Sequence, residues 1–163
     1  MLPRTATPND AAAIAQIYNE GIEDRLATFE TRLRTGEDIR HWFDGNHPVI
    51  VVEEGSRIIA FAATSTYRPR ECYCGIAEFS VYVARAARGR GVGRVAIGAL
   101  IEAAQRAGFW KLVSRIFVEN VASRKLVASC GFREVGTYQR HARLDGKWRD
   151  VVIVERLMDA NVT

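Results

Sequence analysis

Residues Phe79–Gly108 read FSVYVARAARGRGVGRVAIGALIEAAQRAG, and the rest of the chain is organised around this stretch. A short apolar strand, Phe79 to Val83, enters a loop carrying Arg88, Gly89, Arg90, Gly91 and Gly93. A helical pattern follows at once. Val92, Val95, Ala96, Ala99, Leu100, Ala103 and Ala104 recur at three- and four-residue intervals, and Gly108 supplies the stop expected just past a helix end. Strand, glycine-rich loop and helix in that order make an anion site. The first N–H groups of a helix have no internal partner, and the helix dipole puts partial positive charge there. Glycines let the backbone approach a phosphate with no Cβ in the way. Arg85, Arg88, Arg90 and Arg94 add charge. The stretch reads as a diphosphate cradle; its bland alternative is a glycine-rich turn with a solvated arginine cluster.

Two common phosphate loops do not fit. A dinucleotide fingerprint G-x-G-x-x-G begun at Gly89 meets Arg94 at its sixth position, and no Gly-Lys-Ser or Gly-Lys-Thr occurs anywhere in the chain. What does fit is R-x-x-G-x-G, here Arg88, Gly91 and Gly93, directly after Val81-Tyr82-Val83.

The 163 residues suit one domain, 1–163, with a substantial core, and the net charge of +4 suits an anionic ligand without requiring nucleic acid. No apolar run approaches the length of a membrane span, and MLPRTATPND lacks the apolar segment of a signal peptide, so a cytoplasmic location is expected. Cys72 and Cys74 have no second pair to complete a metal site; Cys130 reads as a small buried hydrophobe. No metal is expected.

Working outward, Leu2–Ala6 suits a first strand, and Thr7-Pro8-Asn9-Asp10 opens a helix whose apolar face is Ile14, Ile17, Tyr18 and Ile22. Ala27–Glu30 is a loop, and a second helix runs from about Thr35 to Phe43. Pro48–Glu54 and Arg57–Tyr67 form a hairpin across Gly55-Ser56. Ile76–Ala84 is the strand that feeds the cradle. Lys111–Val118 is a strand, Asn120–Ser129 a short helix, and Phe132–Arg143 and Trp148–Leu157 a final hairpin turned at Asp145-Gly146. The order β-α-α-β-β-β-α-β-α-β-β predicts a mixed α/β (α+β) domain: a mostly antiparallel sheet of six to seven strands, flanked by about four helices.

That order, together with R-x-x-G-x-G, resembles the GCN5-related N-acetyltransferase (GNAT) superfamily over essentially the whole chain. Further stretches resemble its phosphinothricin, methionine sulfoximine and arsinothricin N-acetyltransferase branch. They are Thr28-Phe29-Glu30, Tyr67-Arg68-Pro69-Arg70 with Tyr73, Glu78 ahead of Ser80-Val81-Tyr82-Val83, Glu119-Asn120-Val121-Ala122-Ser123, Cys130-Gly131-Phe132, and Asp145–Val151. Asp145–Trp148 through Val154–Leu157 looks most like the arsinothricin members.

The resemblance implies acetyl-CoA as the donor. Val81, Tyr82 and Val83 would run beside its pantetheine arm, Arg88 with Gly89, Arg90, Gly91, Val92, Gly93 and Arg94 would hold the diphosphate, and Asn120 would bond near the thiol, beside or instead of capping a helix. On the acceptor side Glu78 is the expected base, Arg70 the expected partner of the acceptor's anionic groups, with Arg68 second and Arg32 third, and Phe29 and Tyr73 the walls. For each there is a plainer reading: a surface carboxylate, a solvated arginine, ordinary packing. Two departures from the family pattern stand out. The tyrosine that often protonates the thiolate is replaced by the run Leu126-Val127-Ala128, leaving Ser129 or water, and Asp145 stands where phosphinothricin enzymes often carry histidine, with His141 four residues earlier. The expected activity is acetylation of the α-amino group of a glutamate-like inhibitor. A protein N-terminus, a lysine or another small amine is the alternative acceptor, and a homodimer is expected by analogy.

Overall fold

The computed structural model describes residues 1–162. Seven strands lie in one sheet in the order β1-β2-β3-β4-β5-β7-β6: β1 Leu2–Thr5, β2 Val49–Glu54, β3 Arg57–Thr66, β4 Ile76–Val83, β5 Lys111–Phe117, β6 Arg133–Leu144 and β7 Lys147–Leu157. Four helices accompany them: α1 Ala11–Asp24, α2 Gly36–Arg40, α3 Val92–Arg106 and α4 Val121–Ser129. The element order is the one the sequence predicts. Boundaries differ where local chemistry intervenes: Pro8–Asp10 form a 3-10 turn ahead of α1, and α2 stops at Arg40.

Each face of the sheet carries its own core. On one, Val92, Ala96, Ile97, Leu100 and Ala104 of α3 pack onto Val52, Ala60, Ala62, Ala77 and Phe79. Alanines on the sheet let the helix lie close, and a fully buried leucine such as Leu100 contributes about 2–3 kcal/mol. On the other face, Ile14, Ile17 and Tyr18 of α1 meet Val51, Phe61 and Tyr82. Alternation along β4 thus sends Ala77 and Phe79 toward α3, and Glu78, Ser80 and Tyr82 toward α1.

Every neighbouring pair of strands is antiparallel except β4 and β5. Those two pair in parallel over three positions, Ile76↔Lys111, Ala77↔Leu112 and Glu78↔Val113, and then part. The Ser114 hydroxyl donates to the Phe79 carbonyl at 2.9 Å just past the last pair. Beyond it, the β5-facing edge of β4 has no strand partner from Ser80 to Val83, and the Val83 carbonyl accepts from Arg88 Nε at 3.2 Å.

Candidate active site

The gap between β4 and β5 widens into a cleft of about 400 Å³, with Val81, Tyr82 and Val83 on one side, Asn120, Ser123 and Leu126 of α4 on the other, and the turn before α3 at its mouth. The geometry of that turn follows from its glycines. Gly89 and Gly91 have φ of +76° and +80°, and a Cβ at either would meet nothing within 4 Å. They are needed for backbone conformation and for the open space above it. Gly91 is the N-cap of α3 and has no side chain to fold back on the helix, whereas Thr35 caps α2 and Asn120 caps α4 with side-chain oxygens. As a result, none of the seven backbone N–H groups from Arg88 to Arg94 has a protein acceptor among the described residues. A row of unspent amides at a helix N-terminus fits a diphosphate.

Gly93 has a different task. A Cβ there would lie 2.8 Å from Leu126 Cδ2, so this glycine lets α3 and α4 approach. The arginines also divide. Arg88 donates to Asp24 Oδ2 at 2.6 Å and Arg85 to Asp24 Oδ1 at 2.9 Å, which fastens α1 to the cradle. Partial burial pushes the Asp24 carboxyl up, but the hydrogen bonds from Arg85 and Arg88 outweigh it and hold the group below the usual carboxylate range. Arg90 turns away from the cleft and pairs with Glu54. Arg94 lines the cleft with no carboxylate partner among the described residues. Asn120 is buried; its amide donates to the Leu26 carbonyl at 3.4 Å while its Oδ1 accepts from the Ser123 N–H at 3.2 Å.

At its inner end the cleft narrows to a space of about 60 Å³ bounded by Phe79, Ser80, Val81, Ser114, Arg115 and Ser123. On the α1 face beside it stand Glu78 and Arg115, Nη2 to Oε1 at 2.9 Å. Phe29 packs edge-on against Phe117 at 4.8 Å, and His141 lies between Phe29 (6.5 Å) and Tyr138 (5.0 Å). Tyr67 meets Tyr73 edge-on, and Arg68 lies over the Tyr67 ring. The neighbouring Tyr67 phenol raises the Arg68 guanidinium's pKa, with smaller contributions from Tyr73 and Tyr138. Phe117, Phe29, His141 and Tyr138 thus form one aromatic run, and Tyr67, Tyr73 and Arg68 a second cluster.

Of the other expected site residues, Arg70 is exposed and lines a groove with Arg68, Tyr73, His47 and Trp110. Arg32 pairs with Asp38 at 3.2 Å. The Ser129 hydroxyl donates to the Leu126 carbonyl at 2.6 Å, one turn back in its own helix, and faces a groove with Arg106 and Arg156. That last placement follows from helix geometry: Ser123 and Ser129 are six residues apart, so they point to different faces. Ser123 was not singled out by the sequence reading, yet it lines both the cleft and its inner end. Asp145 takes φ of +51° at the hairpin turn and pairs with Arg25 at 3.3 Å.

Comparison with known proteins gives this geometry its family. The acetyltransferase (GNAT) family model matches residues 13–132. Phosphinothricin N-acetyltransferase of Streptomyces coelicolor is 32% identical over 94% of this chain and 94% of its own. The crystal structure of ribosomal-protein-alanine N-acetyltransferase from Brucella melitensis superposes with a TM-score of 0.92 at 33% identity, covering 97% of this chain and 100% of that one. A phosphinothricin acetyltransferase from Sinorhizobium meliloti, solved in complex with acetyl-CoA, gives 0.90 at 26% identity, covering 99% and 91%. The seven-stranded mixed sheet is the GNAT fold, and the chain belongs to the GNAT family of N-acetyltransferases.

Proposed function

We propose that this enzyme transfers the acetyl group of acetyl-CoA to the α-amino group of a glutamate-like amino-acid analogue of the phosphinothricin, methionine sulfoximine or arsinothricin type, and so inactivates it. The observation that carries the reading is the run of seven unpaired amides from Arg88 to Arg94 at the mouth of a cleft between parted strands. The S. coelicolor relative supports the acceptor class.

Acetyl-CoA would supply an activated thioester whose C–S bond breaks as the new C–N bond forms. The amides of Gly89–Arg94 and the side chains of Arg88 and Arg94 would hold the diphosphate. Val81 and Val83 would offer main-chain groups to the pantetheine amides, since that edge of β4 has no strand partner. Glu78 would take the proton of the acceptor's ammonium, which is mostly charged at neutral pH and must lose that proton before the nitrogen can attack. Ser123, which lines the cleft, would hydrogen-bond the leaving sulfur in place of Ser129. Arg70, with Arg68 beside it in the same groove, would pair with the acceptor's distal anionic group. The exposed side chains Val135, Tyr138 and Trp148 on the last hairpin support a homodimer.

Similarity to the B. melitensis structure favours a second reading, acetylation of a protein N-terminal alanine. A thiol-release assay with L-phosphinothricin, L-methionine sulfoximine, arsinothricin and an alanine-initiated peptide separates the two. The amino-acid analogues are expected to exceed the peptide at least tenfold in kcat/KM; preference for the peptide would overturn the first reading.

A further inference from the structure

Arg115, hydrogen-bonded to Glu78 at 2.9 Å beside the inner end of the cleft, has no part in the acetyl-transfer reading above. We propose that Arg115 is the anchor for the acceptor's α-carboxylate, so that Glu78 and Arg115 together read the zwitterionic head of an α-amino acid. The inference rests on the acetyl-transfer reading above and names the part of the acceptor that the site recognises.

Three observations carry it. The first is position. Glu78 belongs to the last paired position of β4 and β5, and Arg115 lies two residues beyond its strand partner Val113, where the strands have begun to part. Arg115 also bounds the narrow inner end of the cleft, the part of the gap farthest from the amides of Arg88–Arg94. A donor held by its diphosphate at the mouth and laid along β4 brings its reactive end there.

The second is unspent bonding capacity. The contact between the two side chains uses Nη2 of Arg115 and Oε1 of Glu78. Arg115 Nε and Nη1, and Glu78 Oε2, have no protein partner among the described residues. A guanidinium carries five N–H donors in a planar fork, so Arg115 can keep Glu78 on one edge and take a carboxylate on the other. Glu78 Oε2 is left for an ammonium. An α-amino acid carries its ammonium and its carboxylate on one carbon, held about as close as the two members of an ion pair, so it matches this pair head to tail.

The third is surroundings. Arg115 is exposed and its neighbour across β7 is Ile153, with Phe117 and Phe29 farther along the same face. Within that face Glu78 is the carboxylate in contact with Arg115. Arg115 lies between Ser114 and Ile116 in β5, and an exposed ion pair of this kind adds only about 0–1 kcal/mol to stability, so packing alone gives it little to do. Placing it beside the base gives it a use: it fixes which amine presents itself to Glu78.

The test compares acceptors with and without the α-carboxylate. L-Methionine sulfoximine and L-phosphinothricin are each assayed against the amine that lacks its α-carboxylate, with wild type, Arg115→Ala and Arg115→Lys, and with melting temperature recorded for each variant. In the wild type, loss of the carboxylate is expected to lower kcat/KM about a hundredfold, the scale of a charge-assisted bidentate contact. In Arg115→Ala that penalty should shrink to about threefold or less, through a raised KM for the amino acid; the quantity read is the ratio between the two acceptors within each variant. Arg115→Lys should recover part of the difference. A carboxylate penalty that persists in Arg115→Ala, or an equal fall for both acceptors, would overturn the assignment and leave acetyl transfer standing. So would a wild type indifferent to the carboxylate. Failure of the wild type to release thiol with any amine would remove the acetyl-transfer reading itself, and this inference with it.

Discussion

The Ser114 hydroxyl bonds the Phe79 carbonyl at 2.9 Å, and it does so one residue past the last β4–β5 pair. A side chain thereby closes the point from which the two strands separate. Ser114→Ala would leave the Phe79 carbonyl short of a donor at the root of the cleft. The expected loss is about 1 kcal/mol, read by urea unfolding. An unchanged midpoint would mean that water replaces the hydroxyl at no cost.

Gly91 and Gly93 should fail for different reasons. Gly91→Ala places a Cβ on a residue at φ +80° and in the space above the cradle, so it should cost about 1 kcal/mol and raise KM for acetyl-CoA severalfold. Gly93→Ala pushes a methyl group toward Leu126 Cδ2, 2.8 Å away, and should cost about 1–3 kcal/mol by overpacking. Gly93→Ala combined with Leu126→Ala should recover part of that loss, whereas Leu126→Ala should do nothing for Gly91→Ala. Thermal unfolding of the five proteins checks both statements.

The arginines of the cradle should not be equivalent. Arg94 faces the cleft with no carboxylate partner, while Arg90 is turned to Glu54. Arg94→Ala is expected to raise KM for acetyl-CoA about five- to tenfold with little change in kcat, and Arg90→Ala less than twofold. Equal effects would show that Arg90 leaves Glu54 when the donor binds.

Acid stability should depend on Asp10. Two nitrogens of Arg4 bond its two oxygens, each at 2.8 Å, and the Thr7 N–H adds a third bond. The Arg4 guanidinium holds the Asp10 carboxyl below its ordinary value of 3.8, against the opposing effect of burial. A carboxyl depressed in the folded state contributes stability that is fully present above its unfolded pKa and is lost as pH falls through the folded one. Asp10→Asn should therefore lower stability at pH 7 by about 1–3 kcal/mol and flatten the decline below pH ~4. Urea unfolding at several pH values reads both.

The sequence made the fold legible because each signal was local. R-x-x-G-x-G, the turn at Asp145-Gly146 and the helical spacing after Gly91 need only neighbours in the chain, and the structure has strand, turn and helix where they predict them. The acceptor side was less legible because it is built across strands. Arg115 meets Glu78 only through the parallel register of β4 and β5, which no local pattern specifies. Arg70 and Arg68 of Tyr67-Arg68-Pro69-Arg70 line one groove with Tyr73 and Trp110, and loop geometry of that kind is set by no local pattern. Ser129 and Ser123 differ by the helix face on which each falls.

The most direct measurement is amide hydrogen exchange, residue by residue, with and without acetyl-CoA. Gly89–Arg94 should exchange freely in the unliganded protein and slow at least tenfold when the donor is added, together with Val81 and Val83. Exchange at Gly89–Arg94 that stays unchanged under saturating acetyl-CoA would contradict the account at its centre.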